Sequence, residues 1–155
     1  MAHNNHYKQG QGYQGGRNDR DSSPKIDTSE IHLKEINADL FDRIAQQTAT
    51  TIAGNKNSNK PTQLRRFYDE IVMWDQKISL VSNKLDKQQK FEEYLPFIRM
   101  INAKTAYAKG RSLVDQNYVN LLNHLLNQVD SPETLRIFKL FMEAFMGFYK
   151  QERPN

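Results

Sequence analysis

A chain of 155 residues, 37% of them hydrophobic and none of them cysteine, has the material for one domain with a buried core; disulfides, thiolate nucleophiles and cysteine-ligated zinc are excluded. No apolar run follows Met1 and no stretch approaches the roughly 20 apolar residues that cross a bilayer, so the sequence predicts a soluble, cytoplasmic protein without a membrane partner. The formal charge of +4 is uneven, because residues 60–111 hold eleven bases against six acids while each flanking segment balances to within one charge, and this middle-third excess points to a polyanionic partner.

Residues 1–27 are mostly Gly, Asn, Gln, Tyr and charge, with no branched aliphatic before Ile26, too little apolar surface to offset the entropy of ordering. They are predicted as a disordered tail, and residues 28–155 as a single helical domain. The stretch from Gln9 to Gly16 with Arg17 and Arg20 is faintly similar in composition to tails that wrap single-stranded RNA, but such composition is common and a solubilising tail is the favoured reading.

From Asn37 onward the apolar period is helical, giving an all-α class with a small bundle of about five helices. Asn37 is placed to cap a first helix with the stripe Leu40, Phe41, Ile44, Ala45, Thr48 and Ile52, stopped at Gly54. Residues 55–61 read as a polar connecting loop. Thr62 is the expected cap of a second helix whose buried face is Leu64, Phe67, Tyr68, Ile71 and Ile78, reaching about Leu80. Residues 84–94 form a charged helix interrupted at Pro96, after which Phe97, Ile98, Ile101, Thr105 and Ala108 continue as a stripe to a glycine cap at Gly110. Val119, Leu121, Leu122, Leu125, Leu126 and Val129 line the next helix. The run Asp130-Ser131-Pro132-Glu133 then spells the start of the last and most apolar helix, which is either the central post of the bundle or a face for another subunit.

Signals of chemistry are weak. His3 and His6 lie in the tail, His32 in a weakly patterned linker and His124 on a helix without an acid one turn away, so none has a ligand or general-base spacing. Asp69, Glu70 and Asp75 suggest a carboxylate metal site, yet Arg65 and Arg66 one turn away offer ion pairs instead. No nucleophile motif and no phosphate-cradling loop is present, and the sequence predicts no enzyme, no cofactor and no metal site.

Binding signals are stronger. Met100, Lys104, Tyr107 and Arg111 follow at spacings of four, three and four, which aligns two cations and a ring on one helical face, with Arg99 and Lys109 flanking it. Lys104 and Arg111 are suited to neutralising phosphates and Tyr107 to stacking or hydrogen bonding. Arg65 and Arg66 are expected in the first turn of their helix, where the dipole disfavours cations and a partner would compensate. Solvated bases on amphipathic helices explain the same residues, and so does an adaptor whose basic third meets acidic protein surfaces. Trp74, just off the main apolar face, is expected in a helix–helix contact.

The stretches TQLRRFYDEI (Thr62 to Ile71) and LPFIRMINAKTAYAKGR (Leu95 to Arg111), followed by FKLFMEAFMGFYK (Phe138 to Lys150), resemble the small subunit of type III-A CRISPR effector complexes, the helical protein of the Csm complex. The resemblance covers about residues 61–150, and the long glycine-rich N-terminus departs from the compact family pattern. It implies an all-α, non-catalytic subunit in antiviral defence, present in several copies along an RNA-guided ribonucleoprotein. The implied partners are target RNA, the guide-RNA ribonucleoprotein, other effector subunits and copies of itself. Carried over by position, Arg65, Arg66, Lys104 and Arg111 would contact RNA phosphates without reading bases, with Arg99 and Lys109 as weaker inclusions.

Overall fold

The computed structural model describes residues 24–154, and the predicted tail up to residue 23 lies outside the described residues. Among the described residues the secondary structure is entirely helical: a π-helical turn at Leu40–Ile44, then α1 (Ala45–Ala53), α2 (Pro61–Ser79), α3 (Lys84–Arg99), α4 (Ile101–Gly110), α5 (Gln116–Leu126) and α6 (Pro132–Glu152). The all-α expectation holds, with α3 and α4 as the two halves of one broken rod.

The last helix is the central post. Leu135, Phe138, Phe141, Met142, Phe145 and Tyr149 are all buried, and α6 packs against the π-turn, α1, α2 and α3. At roughly 1.5 to 3 kcal/mol per large side chain removed from water, this one helix supplies a major part of the core. Its start follows the sequence signal. Ser131 Oγ accepts from the Thr134 amide (3.1 Å), Thr134 Oγ1 accepts from the Ser131 amide (3.0 Å), and Pro132 occupies the first turn.

Three boundaries differ from expectation. α2 begins at Pro61 with Lys60 in extended conformation and no side-chain cap, so Thr62 lies inside the first turn and is not the cap; proline supplies the helical φ in advance and has no amide to satisfy. Pro96 does not break its helix, which runs on to Arg99 and breaks at Met100, because proline removes one amide donor but its own carbonyl still accepts from the Met100 amide (3.2 Å). Gly110 is the last helical residue rather than the left-handed cap. That conformation falls on Ser112 (φ 60°), where the amides of Ser112 and Leu113 close the helix end on the carbonyls of Lys109 and Ala108.

The segment before the first helix is a strap rather than a linker. Ile31, just after a turn closed by its amide on the Thr28 carbonyl (3.0 Å), and Leu33 are both buried. His124 Nε2 and Gln128 Nε2 meet the Ile31 carbonyl (2.8 and 3.0 Å), Gln128 Oε1 accepts from the Leu33 amide (2.9 Å), and Lys34 pairs with Asp130 at the start of α6. Packing begins earlier still, since Asn117 accepts from the Ile26 amide (3.0 Å) and donates to the Pro24 carbonyl (2.9 Å). The last four residues assigned to the tail are therefore placed along α5.

The polar loop 55–60 is tied just as firmly. Asn59, fully buried at φ 57°, accepts from the Asp115 amide (2.9 Å) and donates to the Ile52 carbonyl (3.3 Å). Its own carbonyl accepts from the Tyr149 hydroxyl and from Arg153 Nη1 (3.0 Å), so one residue joins α1, α5 and α6.

Candidate nucleic-acid interface

Side chains of α2 and α4 meet across a surface groove, where Lys104 forms an ion pair with Glu70. Between them lies a groove of about 320 Å³ lined by Gln63, Arg66, Phe67, Glu70, Lys104, Tyr107, Ala108, Arg111 and Leu113. Thr105 and Ala108, both buried, fix the rotation of α4 and turn Lys104, Tyr107 and Arg111 outward. Leu64 and Ile71 do the same for α2 and leave Arg66 and Glu70 on the groove side.

Four of the seven residues singled out in the sequence thus converge: Arg66, Lys104, Tyr107 and Arg111. Tyr107 is 68% exposed, and the Arg111 guanidinium carbon sits 5.9 Å from its ring centroid, within cation–π range. Among the described residues Arg66 and Arg111 form no ion pair, and their guanidinium groups remain available to an anion. The other three stand apart. Arg65 faces a neighbouring groove with Tyr68, Met146 and Lys150, and pairs with Asp69 (3.4 Å). Arg99 is exposed but donates from Nη2 to the Val129 carbonyl (3.3 Å), at the end of α5. Lys109 is exposed on α4 outside the groove.

Because α2 starts at Pro61, Arg65 and Arg66 lie in its second turn, beyond the reach of most of the dipole penalty expected of them. The acids of this region disperse. Asp69 pairs with Arg65 and Glu70 with Lys104, while Asp75 faces Lys139 and Arg136 across α6, and its carboxyl is held above the usual carboxylate range by burial, which those two cations partly offset. Among the described residues no three His, Asp or Glu side chains gather as a metal ion requires, and no helix is long and apolar enough to cross a membrane.

His124 holds the strap, as described above, and Trp74 occupies the predicted helix–helix contact. Its ring lies 5.3 Å from Tyr94 and 6.3 Å from Phe97, with Lys77 Nζ 5.7 Å away. Phe97, expected in the buried stripe, is instead 53% exposed beside Trp74, since the buried line passes through Ile98 and Ile101. Sequence reasoning missed Gln63, Phe67 and Glu70 as groove residues. The spacing of four from Arg66 to Glu70 was visible, but no local signal announces that Lys104 of α4 reaches Glu70 of α2.

A family model described as Csm2 Type III-A matches residues 35–155, which contain both sides of the groove. No curated protein and no solved structure matches the chain.

Proposed function

The chain belongs to the Csm2 type III-A family, small structural subunits of the type III-A Csm effector complex, and on that premise we propose that it lines the target-RNA path and grips RNA phosphates without reading bases. The observation that carries this reading is the convergence of Arg66, Lys104 and Arg111 around an exposed Tyr107 in a single groove. Guanidinium and ammonium groups offer donors to phosphate oxygens, and an exposed ring stacks on any base, which suits a single strand of arbitrary sequence. Arg65 and Lys109 lie outside the groove as secondary contacts, and Arg99 extends the basic edge toward the α5–α6 junction. The subunit performs no chemistry of its own in this reading. Repeated copies along one strand would add weak phosphate contacts into useful avidity.

The test is binding of a fluorescent single-stranded RNA of about 40 nucleotides across a salt series. Wild type should lose affinity with salt at a log–log slope near −0.7 per phosphate contacted, and Arg66→Ala/Arg111→Ala should make the slope shallower by about 1.4. Unchanged affinity and slope in the folded double variant would contradict the proposal.

A second reading, a protein-facing adaptor, has one observation in its favour. Leu80 and Leu85 are 84% and 80% exposed, and Leu85 borders a separate apolar groove of about 640 Å³ between α2, α3 and α6. Substitution there with lysine should impair assembly with the other effector subunits while leaving RNA binding intact.

A further inference from the structure

Glu70 is the one acid in a groove otherwise lined by three cations, and its geometry is unusual. Its side chain is 19% exposed; Oε1 accepts from Lys104, and Oε2 is buried without a hydrogen-bond partner among the described residues. It stands one turn beyond Arg66 on the same helix and pairs across the groove with Lys104, so two of the three cations lining the groove have this carboxylate as a neighbour.

We propose that Glu70 is an internal competitor for the RNA phosphate: it occupies Lys104 in the free subunit, and RNA must displace it, so that Glu70 sets how weakly each copy binds. The inference rests on the groove being the RNA site. The physical reason is that a carboxylate and a phosphate oxygen compete for the same ammonium group. Lys104 is 47% exposed, so its side chain has room to swing from one to the other. When it leaves, Glu70 has lost its single partner in a partly buried setting, and the cost of breaking that pair opposes binding. Arg66 and Arg111 carry no such internal partner and supply the standing attraction; Lys104 supplies a conditional one. A subunit built this way holds a short or single phosphate group poorly and a long strand shared among many copies well.

The experiment uses the full chain and the same 40-nucleotide RNA. Glu70→Gln keeps the side-chain shape and removes the charge; it should bind about two- to fivefold more tightly, the range set by a weak, partly exposed ion pair, and steepen the salt slope by about 0.7 as Lys104 becomes a full phosphate contact. Adding Glu70→Gln to a Lys104→Gln background should change nothing, because the competition has lost its object. Glu70→Met, similar in volume, replaces the amide if that variant is unfolded by circular dichroism. If Glu70→Gln binds no more tightly than wild type while Arg66→Ala/Arg111→Ala still weakens binding, the competitor role is overturned and the RNA groove stands. A gain that persists without Lys104 also overturns it, since Glu70 would then act as a general charge. If none of these variants alters RNA binding, the groove itself is not the site and both readings fall.

Discussion

Asn59 shows how much one residue can determine without leaving a sequence signal. In a stretch of Asn, Ser, Lys and Gly it reads as loop, yet it is fully buried, holds a left-handed backbone and makes side-chain and main-chain hydrogen bonds to three helices. Asn59→Ala should lower stability by about 3 kcal/mol, combining two orphaned buried groups with a left-handed conformation that alanine tolerates poorly. Asn59→Gly, which accepts that conformation, should cost roughly 1 kcal/mol less; equal losses in urea denaturation would show that backbone strain plays no part. Asp75 gives a prediction of opposite sign. Burial raises its folded-state pKa, so the folded protein holds the proton more tightly than the unfolded chain, and stability falls as pH rises from the ordinary carboxylate range through the raised value. Asp75→Asn should therefore raise Tm at pH 7, and the gain should vanish below the ordinary carboxylate pKa. A Tm difference independent of pH would contradict this.

At the scale of elements, the sequence was most legible where apolar period and capping chemistry coincide. The α6 signal needed only Ser131, Pro132 and the phenylalanines that follow, and the stripe on α5 emerged from its leucines alone. It was least legible where stability comes from polar partners far along the chain. The strap is the clearest case, because Ile31 and Leu33 are two isolated aliphatics whose significance depends on His124 and Gln128, more than 90 residues away. Ile31→Ala/Leu33→Ala should cost about 2 to 5 kcal/mol per site at most, read as a lowered urea midpoint, while RNA affinity of the folded fraction stays at the wild-type value. A loss of RNA affinity in the folded double variant would move the functional surface toward α5. At the helix break Pro96 was the conspicuous residue, but a proline in the last turn of a helix removes only one donor, and the chain breaks after it at Met100, with Ile98 and Ile101 buried on either side.

For the whole molecule, the middle-third charge excess turns out to be spread over α2, α3 and α4, and the fold concentrates only part of it. Spacing along α4 was enough to align Lys104, Tyr107 and Arg111; adding Arg66 while setting Arg65, Arg99 and Lys109 outside the groove required the contact between α2 and α4, which no local pattern encodes. The central claim is therefore one of place: that RNA lies in this groove rather than elsewhere on the bundle. At 18.1 kDa the chain suits amide-resolved NMR. Titrated with a short single-stranded RNA, it should show its largest chemical-shift changes in residues 63–70 and 104–113, growing weaker with salt. Changes centred instead on Leu85 and Arg136 in the α2–α3–α6 groove, or on the strap along α5, would contradict it.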